Sequence, residues 1–237
     1  MALTKVSGDL IADNAVGLAQ LAGGTDGNLI TFDASGNPSH VPTGTATHVL
    51  TSNGAGAAPT FQATLQPAGS ILEELSLVCN GETQTVSSGT YTAPNVSALQ
   101  NVTTSFADIN GSSISYTPPS GTTRVVYTCS VQVSYVNSDS IGDVTFYLDS
   151  DEVVHARTGI SGYYTDEQHH FTWTFRIGGS ADTNTGRVAS WSSGKTMKLQ
   201  ARLKNSGHEF RLHRTSTWAD AGAEHLSVPR LSIRAIK

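Results

Sequence analysis

The stretch Val125-Val126-Tyr127-Thr128-Cys129-Ser130-Val131-Gln132-Val133-Ser134-Tyr135 decides the fold. Val125, Tyr127, Cys129, Val131, Val133 and Tyr135 fall on one side of an extended chain, and Val126, Thr128, Ser130, Gln132 and Ser134 on the other. A period of two predicts a strand with one face in a core. The same alternation recurs downstream. Phe171, Trp173, Phe175 and Ile177 interleave with His170, Thr172, Thr174 and Arg176, and Met197, Leu199, Ala201 and Leu203 interleave with Lys198, Gln200, Arg202 and Lys204. Shorter strands fit 102–109, 112–117, 143–149, 152–157, 208–215 and 226–236. Asn110-Gly111, Pro118-Pro119-Ser120-Gly121, Asp149-Ser150-Asp151, Gly178-Gly179 and Asn205-Ser206-Gly207 supply turns between them. About nine short strands with such punctuation predict a β-sandwich, a jelly roll, over 91–237.

Upstream the material changes. Gly27-Asn28-Leu29-Ile30-Thr31-Phe32-Asp33-Ala34-Ser35-Gly36-Asn37-Pro38-Ser39-His40-Val41 lies over Thr47-His48-Val49-Leu50-Thr51-Ser52-Asn53-Gly54-Ala55-Gly56-Ala57-Ala58-Pro59-Thr60-Phe61 without a gap, at an offset of 20 residues. Each copy has an apolar strand, a Gly/Asn turn, a proline and one large apolar residue, a hairpin-sized unit suited to stacking in a shaft over 25–64. Its large apolar residues are Leu29, Ile30, Phe32, Val41, Val49, Leu50 and Phe61. So few cannot offset roughly 1–2 kcal/mol of backbone entropy per ordered residue within one chain. Several copies sharing a core could, so the repeat predicts an oligomer, with a flexible Gly/Ser/Thr linker as the competing reading.

Residues 1–24 read as an anchoring segment with one short helix. Asp9 or Asp13 can cap it, Leu18, Leu21 and Ala22 recur at helical spacing, and Gly23-Gly24 ends it. Residues 65–90 read as a junction, in which Ile71–Val78 fits either a strand or a short helix.

Charge divides along the same line. Residues 1–120 hold one basic and eight acidic side chains, net −7, whereas 121–237 hold 13 basic and 11 acidic, net +2. The overall charge of −5 without a basic stripe argues against nucleic-acid binding. With 38% hydrophobic residues and a mean hydropathy of −0.17, the chain reads as folded and soluble. No apolar run of about 18 residues predicts membrane insertion, and no secretory signal is visible at Met1-Ala2-Leu3-Thr4-Lys5-Val6. Cys79 and Cys129 are too few for a disulfide framework and are expected as free thiols.

Two groups of residues carry a resemblance. Leu3-Thr4-Lys5-Val6-Ser7-Gly8-Asp9-Leu10-Ile11-Ala12-Asp13, with the Gly-Asn-Leu-Ile-Thr-Phe-Asp-Ala-Ser-Gly repeat, resembles the N-terminal parts of tailed-bacteriophage fibre and virion structural proteins, cyanophage ones among them. The stretches 108–121, Phe146-Tyr147-Leu148-Asp149 and 228–236 are similar to trimeric jelly-roll heads of phage fibres, tumour-necrosis-factor ligands and complement-type domains. The resemblance implies a homotrimer in the virion, assembled in the host cytoplasm. Its N-terminal region would meet other virion proteins, with Leu10, Ile11, Leu18 and Leu21 joining the repeat's apolar residues in anchoring and oligomer contacts. A tail fibre binding host-surface glycan or protein is the leading expectation, a capsid decoration fibre is the alternative, and a glycan-active enzyme or free binding module is the rival from another class.

Chemistry is sparse. Gly159-Ile160-Ser161-Gly162 lacks the spacing of a nucleophile elbow. Asp166/Glu167 and Asp149/Asp151/Glu152 are the carboxylate groupings a glycan-cleaving enzyme would use, but they fall in predicted turns, so no catalytic residue is assigned. His169 and His170 point to opposite faces of a strand and cannot chelate one ion. Asp139, Asp143, Asp149 and Asp151 lack calcium-loop spacing, so neither metal nor cofactor is expected. Exposed aromatics beside hydrogen-bonding groups suit sugars. Tyr163, Tyr164, Asp166, Glu167, Trp191 and Trp218 are therefore the receptor-facing candidates. For the two tryptophans, filling the sandwich or a subunit interface is the competing reading.

Overall fold

A computed structural model describes residues 24–35, 38–64, 66–216 and 225–237. The short helix expected within 1–24, with Leu10, Ile11, Leu18 and Leu21, lies outside the described residues, as does Trp218. The chain divides into two compact units, Met1–Leu65 and Gln66–Lys237.

In the first unit the repeat folds as two hairpins. Strand β1 (Leu29–Phe32) pairs antiparallel with β2 (Pro38–Val41), and β3 (Val49–Thr51) with β4 (Thr60–Gln62). Both are entered through the same turn, with Asn28 N donating to Thr25 O at 3.0 Å and His48 N to Thr45 O at 3.0 Å. Gly27 (φ 83°) and Thr47 (φ 74°) hold the equivalent left-handed position. Asn53 closes the second hairpin, donating to Ala58 O at 2.7 Å and accepting from Gln62 Nε2 at 3.0 Å. A Cβ on Gly44 would run into the Phe61 side chain, so the glycine lets that ring lie on the backbone.

The second unit is mainly β. Its strands are β5 (Ile71–Val78), β6 (Thr83–Val86), β7 (Gly89–Thr92), β8 (Gln100–Asn101), β9 (Ala107–Asp108), β10 (Ile114–Tyr116) and β11 (Arg124–Tyr135). They continue with β12 (Ser140–Leu148), β13 (Asp151–Gly162), β14 (Asp166–Arg176), β15 (Lys195–Leu203), β16 (Phe210–Leu212), β17 (Arg214–Thr215), β18 (His225–Leu226) and β19 (Arg230–Ile236). Among the described residues one sheet runs β5-β19-β11-β16-β8, with β14 on the other flank of β11. A second runs β10-β15-β12-β13, with β9 also on β15. Inward residues of both sheets form one core, including Leu75, Leu77, Tyr127, Val131, Phe146, Met197, Leu199 and Leu231. The edge of Tyr127 meets Phe146 at 6.1 Å between ring centres, joining the sheets.

The expected junction is revised. Ile71–Val78 is a strand paired along β19, and its Leu75 and Leu77 are buried with the core. Periodicity alone was ambiguous because Glu73, an inward position, is charged. Its carboxylate is kept there by hydrogen bonds from Ser87, Ser88 and Tyr116. Both cysteines are buried free thiols. Burial is the main cause that pushes each up to about 12, which leaves them protonated and inert at neutral pH.

Candidate functional site

Of the receptor-facing candidates, four sit together where β13 turns into β14. Tyr163 and Tyr164 form the tip, 67% and 61% exposed, with rings edge-to-face at 5.1 Å. Tyr164 takes a left-handed φ of 44°, uncommon for a bulky side chain. The turn is fastened from beneath. Tyr164 N donates to Asn137 O at 3.4 Å, and Tyr135 N to Thr165 O at 2.8 Å. The two aromatic faces are thus presented on a braced loop, an arrangement suited to stacking against apolar sugar faces.

The two carboxylates do structural work. Asp166 accepts from Ser216 N at 2.6 Å and Ser216 Oγ at 3.0 Å. Glu167 lies 3.5 Å from His169 Nε2. Desolvation lowers the pKa of His169, and Glu167 offsets part of that effect. Trp191 requires a correction. It is 6% exposed, donates Nε1–H to Tyr116 O at 2.9 Å and meets Phe175 edge-on at 6.1 Å, so it fills the core rather than facing a receptor.

In the first unit the exposed apolar side chains repeat with the hairpins. Leu29 (41%) and Ile30 (56%) of β1 match Val49 (48%) and Leu50 (48%) of β3, and Phe32 stands out at 65%. Val41 is buried and Phe61 half-buried.

Two of the four acidic residues weighed as cation ligands, Asp143 and Asp149, are engaged by basic side chains. Asp143 accepts from Arg202 Nε at 2.9 Å, and Asp149 from Lys195 Nζ at 2.9 Å and Thr196 N at 2.8 Å. Among the described residues no three His, Cys, Asp or Glu side chains converge as metal ligands. None of the described helices is long and apolar enough to cross a membrane.

One constellation escaped the sequence. Arg124, Arg176 and Arg187 line a single groove beside Trp173. Arg124 and Arg176 are 52 positions apart, and only the β11–β14 register sets them opposite each other.

No protein-family model matches the chain, and no curated protein does. Solved structures show a loose likeness to infectious bursal disease virus proteins. The VP2 subviral particle aligns with a TM-score of 0.37 and 10% identity over 80% of this chain and 38% of that one. The Gx strain structure aligns at 0.32 and 10% over 84% and 44%. This chain spans about two fifths of their length.

Proposed function

We propose that this chain is a non-enzymatic structural protein of a virus particle, a homotrimeric fibre of tailed-phage type. In this reading its first unit packs against other copies, and its second contacts a host-surface glycan. The observation that carries the proposal is the recurrence of exposed apolar pairs, Leu29-Ile30 and Val49-Leu50, at equivalent places in two successive hairpins. A lone two-stranded hairpin is marginal in water. Two such hairpins presenting the same apolar residues outward suit a strip covered by further copies of the same chain. Threefold order, phage type and virion location rest on the sequence resemblance.

Strand order supports a jelly-roll head. Counting only β5, β10, β11, β12, β13, β14, β15 and β19 as first to eighth, the sheets run 1-8-3-6 and 2-7-4-5. Read in this way, the order matches the eight-stranded, two-sheet arrangement of a double Greek key. Several weak glycan sites per oligomer, and many oligomers per particle, would give avidity without one strong contact. Asp149, Glu152, Asp166 and Glu167 are engaged by Lys195, Arg157, Ser216 and His169, which supports binding rather than catalysis.

The test is immunogold labelling of purified particles with antibody to residues 66–237. Labelled projections support the reading. Unlabelled particles whose protein content lacks the chain overturn it.

A further inference from the structure

We propose that the groove beside Trp173 is a binding site for an acidic sugar, one bearing a carboxylate or sulfate, held by Arg124, Arg176 and Arg187. The inference deepens the glycan-binding reading and rests on it, but it places the contact away from the Tyr163–Tyr164 tip.

The groove encloses about 650 Å³, a volume suited to a small ligand or a short stretch of polymer. Arg124 and Arg176 are direct cross-strand partners on β11 and β14, and both are exposed. Like charges so placed destabilise a sheet. Arg187 is brought in by the loop that follows a single 3-10 turn, Thr183–Thr185, where Asp182 and Arg187 exchange backbone hydrogen bonds at 3.0 Å each. Among the described residues no carboxylate forms an ion pair with any of the three arginines. Asp182, the acid on the groove wall, is turned to its own loop and accepts from Asn184 N at 3.1 Å and Thr185 Oγ1 at 3.0 Å. Three guanidinium groups with no ion-paired carboxylate form a planar-donor set suited to a carboxylate or sulfate.

The rest of the wall favours a sugar over an acidic peptide. Trp173 is half-buried, and its Nε1–H donates to Thr185 O at 3.0 Å, which fixes the indole beside the arginines. Thr172 and Thr174 add hydroxyls to the same groove. A fixed aromatic, hydroxyls and guanidinium groups match the three chemistries of an acidic sugar: its C–H face, its hydroxyls and its oxyanion.

The experiment titrates the full chain with polygalacturonate, dextran sulfate, uncharged dextran and polyglutamate at 50 and 200 mM salt, and measures adsorption to host cells in parallel. The proteins are the natural chain, Arg124→Gln/Arg176→Gln and Tyr163→Ala/Tyr164→Ala. Binding to polygalacturonate or dextran sulfate, weakened at least tenfold in the arginine variant and kept in the tyrosine variant, is the expected result. Acidic-polymer binding that survives the arginine substitutions overturns the site. Equal binding of polyglutamate overturns the sugar class in favour of an acidic peptide. If cell adsorption survives the arginine substitutions but is lost with the tyrosines, the groove inference falls and the glycan reading stands. If the natural chain neither adsorbs nor binds any polymer, both fall.

Discussion

The Tyr116 hydroxyl donates to Glu73 Oε1 at 2.8 Å, linking β10 of one sheet to β5 of the other through a buried carboxylate. Ser87 Oγ (2.6 Å), Ser88 N (2.8 Å) and Ser88 Oγ (2.5 Å) donate to the same group, so Glu73 also pins the turn between β6 and β7. Desolvation alone would raise its pKa, but these donors together hold it below the ordinary 4.5. Burial and the neighbouring carboxylate raise that of Tyr116, which stays a donor. Glu73→Ala leaves several buried donors unsatisfied and is expected to cost on the order of 3 kcal/mol in urea unfolding. Glu73→Gln, which keeps an acceptor, is expected to cost less. The contribution is full above the ordinary carboxyl value and is lost as pH falls through the lower folded value.

His213 sets a second acid sensitivity. Its ring is fully buried, with neither nitrogen in a hydrogen bond of good geometry. Burial lowers its pKa from 6.5 to about 4, with the Asn110 backbone offsetting a little. The unfolded chain therefore takes up the proton first. Stability is full above 6.5 and erodes as pH falls from 6.5 toward 4, by on the order of 3 kcal/mol in all. His169, also lowered by desolvation, adds to the same slope. His213 sits at φ 63°, which asparagine tolerates. His213→Asn is therefore expected to flatten the fall in Tm between pH 7 and 5, and an unchanged slope would contradict the assignment.

The repeat predicts its own improvement. Thr47 adopts the left-handed conformation that Gly27 adopts without cost. Thr47→Gly should stabilise the second hairpin by about 1 kcal/mol, read as slower hydrogen exchange of the β3–β4 amides. Faster exchange would show that the side chain contributes more than the strain costs.

Stability and binding should separate at the aromatic residues. Tyr163→Ala/Tyr164→Ala removes exposed rings and is expected to shift stability by no more than about 0.5 kcal/mol per site and to leave acidic-polymer binding at the arginine groove unchanged. Trp191→Ala empties a core position and is expected to cost about 3–5 kcal/mol, with adsorption following only the folded fraction.

Alternation made the central strands legible, because Val125–Tyr135 and Met197–Leu203 each bury one face. It failed where burial has another cause. The strand at Ile71–Val78 hides its period behind Glu73. The hairpin of β6 and β7, Thr-Gln-Thr-Val and Gly-Thr-Tyr-Thr, has little apolar content and turns on Ser87-Ser88, without the usual Asn-Gly signal. The first half of β14, Asp166-Glu167-Gln168-His169-His170, shows no apolar alternation because its half-buried position is filled by a histidine ring, His169, packed on Tyr135 and Phe171. The tyrosine tip could be read from local turn chemistry. The burial of Trp191 and the convergence of three arginines depend on long-range register, which a single sequence does not encode visibly.

Further copies of the chain are expected to cover the repeated apolar residues of the first unit. Light scattering on the full chain at micromolar concentration tests it most directly. The expected mass is three times the 24.9 kDa monomer, falling to the monomer in Ile30→Asp/Leu50→Asp while the β-rich circular dichroism of the second unit persists. A natural chain that is folded and monomeric across that range would contradict it.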